Sequence, residues 1–366
     1  MKRGLLMCKN IKKTIAIFTM MVLMTLCFEL PYQQVFAFDK TSLEGIYVSE
    51  ENYEEKMKDI VEPYIDNIKE TGFVQGQEGI DIYYEMYKLN DSKGNIVISH
   101  GFSESLEKYN EIIYYFLNQG YSVFGLEHRG HGRSGSLGVK DKSQINVKDF
   151  EHYVLDLKEL MDKVVMPNSD GEKVFLFAHS MGGGIGSKFL EEYPEYFDAA
   201  VLTSPMLEIN TGKVPSSIVK LIANTSVALS FGDKYIAGQG KYDDTYDLKG
   251  SDTSSDARCR YYHNIVSGNE ELQRGGASYN WLQTSIYATK EITNKENAAK
   301  VEIPVILMQA DKDDFVRPGG QNNFTKYAQD CDKVFYEESK HGIFRENDKI
   351  LHEYLNNLFA FYEANL

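Results

Sequence analysis

This chain is poor in cysteine, poor in positive charge and without a long hydrophobic run. It has four cysteines in 366 residues, and only Cys259 and Cys331 lie beyond the first 40. No Cys-x-x-Cys occurs and no cysteine spacing suits a metal, so a zinc module and a dithiol redox site are both excluded. Lys and Arg number 39 against 54 Asp and Glu, a formal charge of −15. Nucleic-acid affinity rests on neutralising phosphates with cations, so this balance argues against such a partner, and against tight adsorption to anionic membranes. The longest uncharged apolar run, Thr14–Phe28, has 15 residues, short of the roughly 20 that span a bilayer. No internal repeat or low-complexity linker is visible.

That run sits inside a leader. Lys2, Arg3, Lys9, Lys12 and Lys13 precede it, and Val35, Phe36 and Ala37 follow it as a small-residue cleavage site. The pattern predicts a secretory signal peptide over residues 1–37, with an uncleaved N-terminal anchor as the alternative. Cys27 invites a lipid-anchor reading, but Met24, Thr25 and Leu26 before it are bulky for one. Cleavage takes the net charge from −15 to −19. Export would permit a Cys259–Cys331 disulfide, although a domain of this size does not require one.

Past a polar lead-in (38–72) with a helical rhythm over 42–70, strand and helix patterns alternate. Strands are expected at Phe73–Gly76, Ile80–Leu89, Asn95–Ser99, Tyr121–Leu126, Val174–Ala178, Ala199–Leu202, Ile303–Gln309 and Lys333–Glu338. Helices are expected at Leu106–Leu117, Val147–Val164, Ile185–Tyr193, Gly320–Gln329 and Lys349–Glu363. This spacing predicts an α/β fold with a mostly parallel sheet flanked by helices. The rhythm fails between 206 and 298, where Gly- and Asp-rich turns and helices such as Trp281–Glu291 read as an insertion over the sheet. The core then comprises residues 73–205 and 299–366.

The chemistry centres on residues 174–184, an apolar run that breaks at Ser180 and falls into Gly182, Gly183 and Gly184. A serine on a tight strand-to-helix turn presents its hydroxyl above the sheet, the nucleophile elbow. Gly182 leaves room where strand and helix pass closely, and Ala178 stands where glycine is usual. A nucleophilic serine needs a base and an acid to orient it, and in this fold class they follow in the order Ser, Asp or Glu, His. Asp311, Asp313 and Asp314 follow one late strand, and spacing alone does not separate them. His341 follows the last strand and is the candidate base. His100, His128, His131 and His179 are expected to serve as structural hydrogen-bonding groups, and His352 as a surface or packing residue. An oxyanion hole needs two N–H groups; Met181 and Phe102 are placed to supply them. The loop Glu127–Ser134, with two arginines and two histidines, reads as an internally bonded brace rather than a metal site.

These motifs resemble the α/β-hydrolases of the lysophospholipase and monoacylglycerol lipase family, most like bacterial L2-type lysophospholipases. The likeness is carried by His100–Phe102, Glu127–Ser134, His179–Gly183, Ala310–Val316 with His341, and Arg274–Trp281, and it runs from about Phe73 to the C-terminus. Within that pattern Ala310, Asp313 and Val316 match a small-x-x-Asp-x-x-Val motif, which makes Asp313 the acid; Glu127 stands where aspartate is commoner. The resemblance implies a helical cap with an acyl-chain pocket and a serine ester hydrolase acting on monoacyl lipid esters, with no metal or organic cofactor. It implies transient contact with a membrane or micelle. Two other readings stand beside it: a peptidase with the same triad, for which Asp243 and Asp244 would hold a free amino terminus, and a non-catalytic binding protein on this fold. The leader predicts a protein that is secreted or held at the cell surface, with a membrane anchor as the alternative.

Overall fold

The computed structural model describes residues 43–366, and the leader expected over 1–37 lies outside them. Eight strands form one sheet in the order β1-β2-β4-β3-β5-β6-β7-β8. They are β1 (Lys69–Gln75), β2 (Asp81–Tyr87), β3 (Asn95–Ser99), β4 (Ser122–Leu126), β5 (Val174–His179), β6 (Ala199–Thr203), β7 (Val305–Ala310) and β8 (Cys331–Tyr336). β1 and β2 are antiparallel to each other, as are β2 and β4. All pairings from β4 through β8 are parallel. Parallel strands need crossovers, and the helices that make them cover both faces.

The two faces can be read directly from the strand sequences. In β5, Val174, Leu176 and Ala178 enter one apolar cluster, and Phe175 and Phe177 the other. β7 divides the same way, with Val305 and Leu307 on the first face and Ile306 and Met308 on the second. Period-two alternation thus buries both sides of a strand that reads as one continuous apolar run. Helix α1 (Asn110–Asn118) lies on the second face, and α2 (Glu151–Leu160) and α3 (Met181–Glu192) lie on the first.

Between β6 and β7 the chain forms α4 (Ser216–Ala228), α5 (Asp256–Ser267) and α6 (Tyr279–Ile292), with only isolated bridges such as Ile209 to Val316. Ser255 and Ser278 cap α5 and α6 by accepting the N–H groups of Arg258 and Trp281. Helix α7 (Pro318–Tyr327) precedes β8, and α8 (Asp348–Ala364) closes the second face.

Several boundaries differ from the sequence expectation. Helix α3 begins at Met181, four residues before Ile185, because the three glycines sit inside its first turn. A Cβ on Gly182 would stand 2.0 Å from the Ser99 carbonyl oxygen, and one on Gly184 2.8 Å from that of Met206. Here glycine admits close packing and does not break the helix. β1 starts at Lys69 and not at Phe73; it is an edge strand with only Val74 buried, so it lacks an apolar signature. The lead-in helix runs over residues 53–66, and Tyr53, Met57, Val61 and Ile65, four apart, pack it onto the second face. Cys259 and Cys331 are both free thiols.

Candidate active site

The parallel strands all end on one side, the side on which ligands bind in open α/β sheets. Ser180 follows β5 directly, with φ 52° and ψ −118°. A non-glycine residue held there is strained, and it persists only where its surroundings fix it. The fixing bonds are plain: Ser180 N–H donates to the Thr203 carbonyl at 3.1 Å, and its own carbonyl accepts from Met206 N–H at 2.7 Å. Ala178 in place of the usual glycine is accommodated by Gly186 on α3, whose added Cβ would lie 3.3 Å from the Ala178 methyl.

Asp313 lies past the end of β7 and His341 past the end of β8. His341 Nδ1–H donates to Asp313 Oδ2 at 2.6 Å. The other carboxylate oxygen, Oδ1, accepts the N–H groups of Phe315 and Val316, each at 2.9 Å. Burial works against ionisation of Asp313, yet the bond and charge of His341 and these two N–H donors hold its pKa below the ordinary carboxylate range. Asp311 instead accepts from Glu338 N–H at 3.2 Å, and Asp314 faces the cavity without bonding His341. Of the three acids that spacing leaves equivalent, geometry brings Asp313 alone to the histidine.

Ser180 and His341 open into a cavity of about 720 Å³. Phe102, Met206, Ile209, Trp281, Phe315 and Val316 form its apolar wall, and the Phe102 and Trp281 rings lie 4.5 Å apart. The insertion adds Tyr242, Asp243, Tyr246, Asp247, Cys259 and Tyr262. Met181 opens α3, where the first N–H groups have no intrahelical acceptor. Phe102 follows Gly101 on the loop after β3.

The four histidines expected to serve as structural hydrogen-bonding groups do so. His100 Nδ1–H donates to the Gly101 carbonyl at 2.7 Å, and its Nε2 accepts His128 N–H at 2.9 Å. His131 bonds the Arg129 carbonyl and His179 that of Thr203, each at 3.1 Å. Burial lowers the pKa of all four rings, so they are neutral near pH 7. His352 stacks on Tyr47 at 3.8 Å. In the Glu127–Ser134 loop, Glu127 pairs with Arg133 at 2.5 Å and accepts Leu106 N–H at 3.2 Å. A Cβ on Gly132 would collide with its carboxylate at 2.1 Å. The brace reading holds.

The sequence pattern does not mark a group of charges beside this site. Glu104, Lys108, Asp252 and Arg345 meet there with side chains only 6–14% exposed. Ligand atoms of Glu104, His179 and Asp252 fall within 4.8 Å of one another, a spacing that would suit a cation. The Lys108 ammonium stands against two of them, at 2.5 Å from Glu104 and 2.7 Å from Asp252. A glutamate and a lysine four apart, just past a strand end, were the only local signal.

Fold and site together define an α/β-hydrolase. The family model described as serine aminopeptidase, S33, matches residues 90–348, and the chain belongs to that family. The chain is 31% identical over 239 residues to lysophospholipase L2 of Escherichia coli (strain K12), covering 65% of this chain and 69% of that protein. It is 26% identical over 293 residues to the probable lysophospholipase L2 of Haemophilus influenzae, covering 80% and 91%. A soluble variant of monoglyceride lipase from Saccharomyces cerevisiae, solved with a substrate analogue, superposes with a TM-score of 0.66 at 20% identity, over 81% of this chain and 95% of that one. That last likeness is one of fold. By this kinship the chain is an enzyme, a carboxylic ester hydrolase.

Proposed function

We propose that this enzyme cleaves the acyl ester of a single-chain lipid, a lysophospholipid or a monoacylglycerol, through an acyl-enzyme on Ser180. The observation that carries this reading is the 2.6 Å Asp313–His341 bond, beside a strained serine that opens into the same cavity. Because Nδ1 of His341 is committed to Asp313, its Nε2 is the nitrogen free to take the Ser180 proton. Ser180 Oγ attacks the ester carbonyl, and the Met181 and Phe102 N–H groups receive the developing oxyanion. Each such donor is worth about 10²–10³ in rate. His341 then gives the proton to the leaving alcohol, and water activated by the same histidine releases the fatty acid. Asp313, kept ionised, stabilises the imidazolium throughout. None of these steps calls for a metal or organic cofactor.

The lipid assignment is supported by the relatives named lysophospholipase L2 and by the apolar wall of the cavity, much of it supplied by residues 206–298 acting as a cap. Contact with a micelle or membrane is supported by α4 and its C-terminal turn. Ile218, Leu221, Ile222, Leu229 and Phe231 there are 45–65% exposed, and residues 216–231 contain one lysine and no acid. Scattered apolar residues are ordinary, but a contiguous patch marks an interaction surface. The leader reading makes the enzyme secreted or surface-held.

A peptidase is the second reading, favoured by the family's description and by Asp243 on the cavity wall, joined there by Asp247 and not by the expected Asp244, which accepts the Tyr242 and Ser267 hydroxyls instead. Side-by-side turnover of lysophosphatidylcholine, monoacylglycerol and aminoacyl amides by the purified enzyme decides between them. The lipid esters are expected to be cleaved with the higher kcat/KM; faster cleavage of the amides would overturn the assignment. A Ser180→Ala variant with full activity on a short acyl ester would falsify the mechanism.

A further inference from the structure

Glu104 sits where three parts of the site meet. Its Oε2 accepts the Gly101 N–H at 2.7 Å and the Tyr109 hydroxyl at 2.6 Å. Its Oε1 meets Lys108 Nζ at 2.5 Å and lies 3.4 Å from Nε2 of His179. A Cβ on Gly101 would strike this carboxylate at 2.8 Å, so loop and side chain are fitted to each other. Gly101 is the residue before Phe102, and its N–H orients the strand-end loop on which the Phe102 N–H is carried.

The chain of charges then crosses to the insertion. Lys108 Nζ reaches Asp252 Oδ2 at 2.7 Å, and Asp252 Oδ1 accepts from Arg345 Nη1 at 3.3 Å. The Asp252 backbone carbonyl accepts Gly342 N–H at 2.7 Å, the residue directly after His341. His179 rests against the same histidine, with ring centroids 4.8 Å apart. Thus one alternating series of charges, −+−+, fastens the oxyanion loop at one end and the histidine loop at the other. Taking such a series out of water is costly, and apolar packing of equal volume is often as stable. What a hydrogen-bonded ionic series adds is fixed direction and distance.

We propose that Glu104, Lys108 and Asp252 are positioning residues that set the oxyanion loop against His341, with Asp252 making the insertion part of the catalytic frame. This rests on the reading of Ser180, His341 and Phe102 above. The three side chains line the cavity but none bonds Ser180 or His341, so their loss is expected chiefly in the geometry of the transition state and less in ester binding.

The test uses the full-length enzyme with Glu104→Gln, Asp252→Asn and the double variant, each assayed well below its own melting temperature. Expected is a fall in kcat of about 10–100-fold for Glu104→Gln and about 3–10-fold for Asp252→Asn, with KM within about threefold. The double variant is expected to lose little more than Glu104→Gln alone, since both break one series. The rate of Ser180 labelling by a fluorophosphonate falls in parallel. Unchanged kcat in both single variants, a loss confined to KM, or losses that multiply in the double variant would overturn the proposal. Should Glu104→Gln fail to fold, Asp252→Asn, at the least buried of the four side chains, decides alone through its kcat-to-KM split. Should Ser180→Ala stay active, the underlying mechanism fails first, and the two failures are told apart.

Discussion

The strand–turn–helix that carries Ser180 and the insertion that roofs it are built on opposite principles. Every residue of β5 is buried, and α3 buries ten of its twelve residues. Helix α4 of the insertion buries only Ala223. On the core side a backbone strained at φ 52° is held by two bonds from the end of β6 and the loop directly after it, and by glycines that admit no substitute. On the insertion side the cavity wall mixes tyrosines, carboxylates and a thiol over a thinner apolar base. The contrast separates two tasks. Chemistry needs atoms held to a fraction of an ångström, and close packing supplies that. Choosing a substrate needs shape and polarity that vary without disturbing the chemistry, and the insertion offers those away from Asp252, which ties it to the histidine loop.

The contrast can be sharpened by substitution, and the largest effect is expected at the acid. Asp313→Asn keeps the volume but removes the charge that fixes the His341 tautomer, so kcat on a short ester should fall about 10⁴-fold with the fold intact. A fall of less than tenfold would mean that another acid serves. Next come paired glycines, one from each region. Gly182→Ala drives a methyl to 2.0 Å from the backbone oxygen of Ser99 and should cost about 3 kcal/mol or more in urea unfolding, together with most activity. Gly240→Ala, in the insertion, meets nothing within 4 Å and should change stability by less than about 0.5 kcal/mol. Equal costs at the two sites would erase the distinction.

A pH effect comes third, and it too belongs to the core. Glu191, on α3, is buried with Oε1 unpartnered. Burial pushes its pKa up to about 9 from an ordinary 4.5, outweighing the opposing charges of Lys188 and Lys300. The folded state therefore holds this proton more tightly than the unfolded chain. Its contribution is fully present below about pH 4.5 and is lost as pH rises through about 9. The loss is at most about 1.4 kcal/mol per pH unit in that window. Glu191→Gln should flatten this part of the stability–pH curve, and an unchanged slope in thermal melts would refute the assignment. The smallest effect is expected at the patch on the cap. Leu221→Ser with Leu229→Ser should lower the ratio of micellar to monomeric ester turnover about two- to fivefold, since each leucine contributes about 1 kcal/mol or less of interfacial burial. A constant ratio would remove the patch from substrate access.

What the amino-acid order discloses follows the same division. The parallel sheet, the elbow and the slots for Asp313 and His341 were legible because each is a local pattern: an apolar run, a turn and a functional residue after a strand. The start of α3 was misplaced because glycines near a helix end read as a stop, whereas here they answer contacts with Ser99, Pro205 and Met206 that are remote in the chain. Asp313 could not be told from Asp311 and Asp314 by spacing, since only the fold brings His341 to one of them. The Glu104–Lys108–Asp252 series was invisible for a stronger reason. Lys108 and Asp252 are 144 residues apart, and surface charge is what such residues ordinarily denote.

The proposed mechanism requires that Ser180 be the nucleophile. Incubating the purified enzyme with a fluorophosphonate and mapping the adduct by peptide mass spectrometry tests this most directly. One adduct per chain, on Ser180, abolished by Ser180→Ala and slowed by Asp313→Asn, is the predicted result. An unlabelled Ser180 in an enzyme that still turns over ester, or an adduct on a different serine, would contradict it.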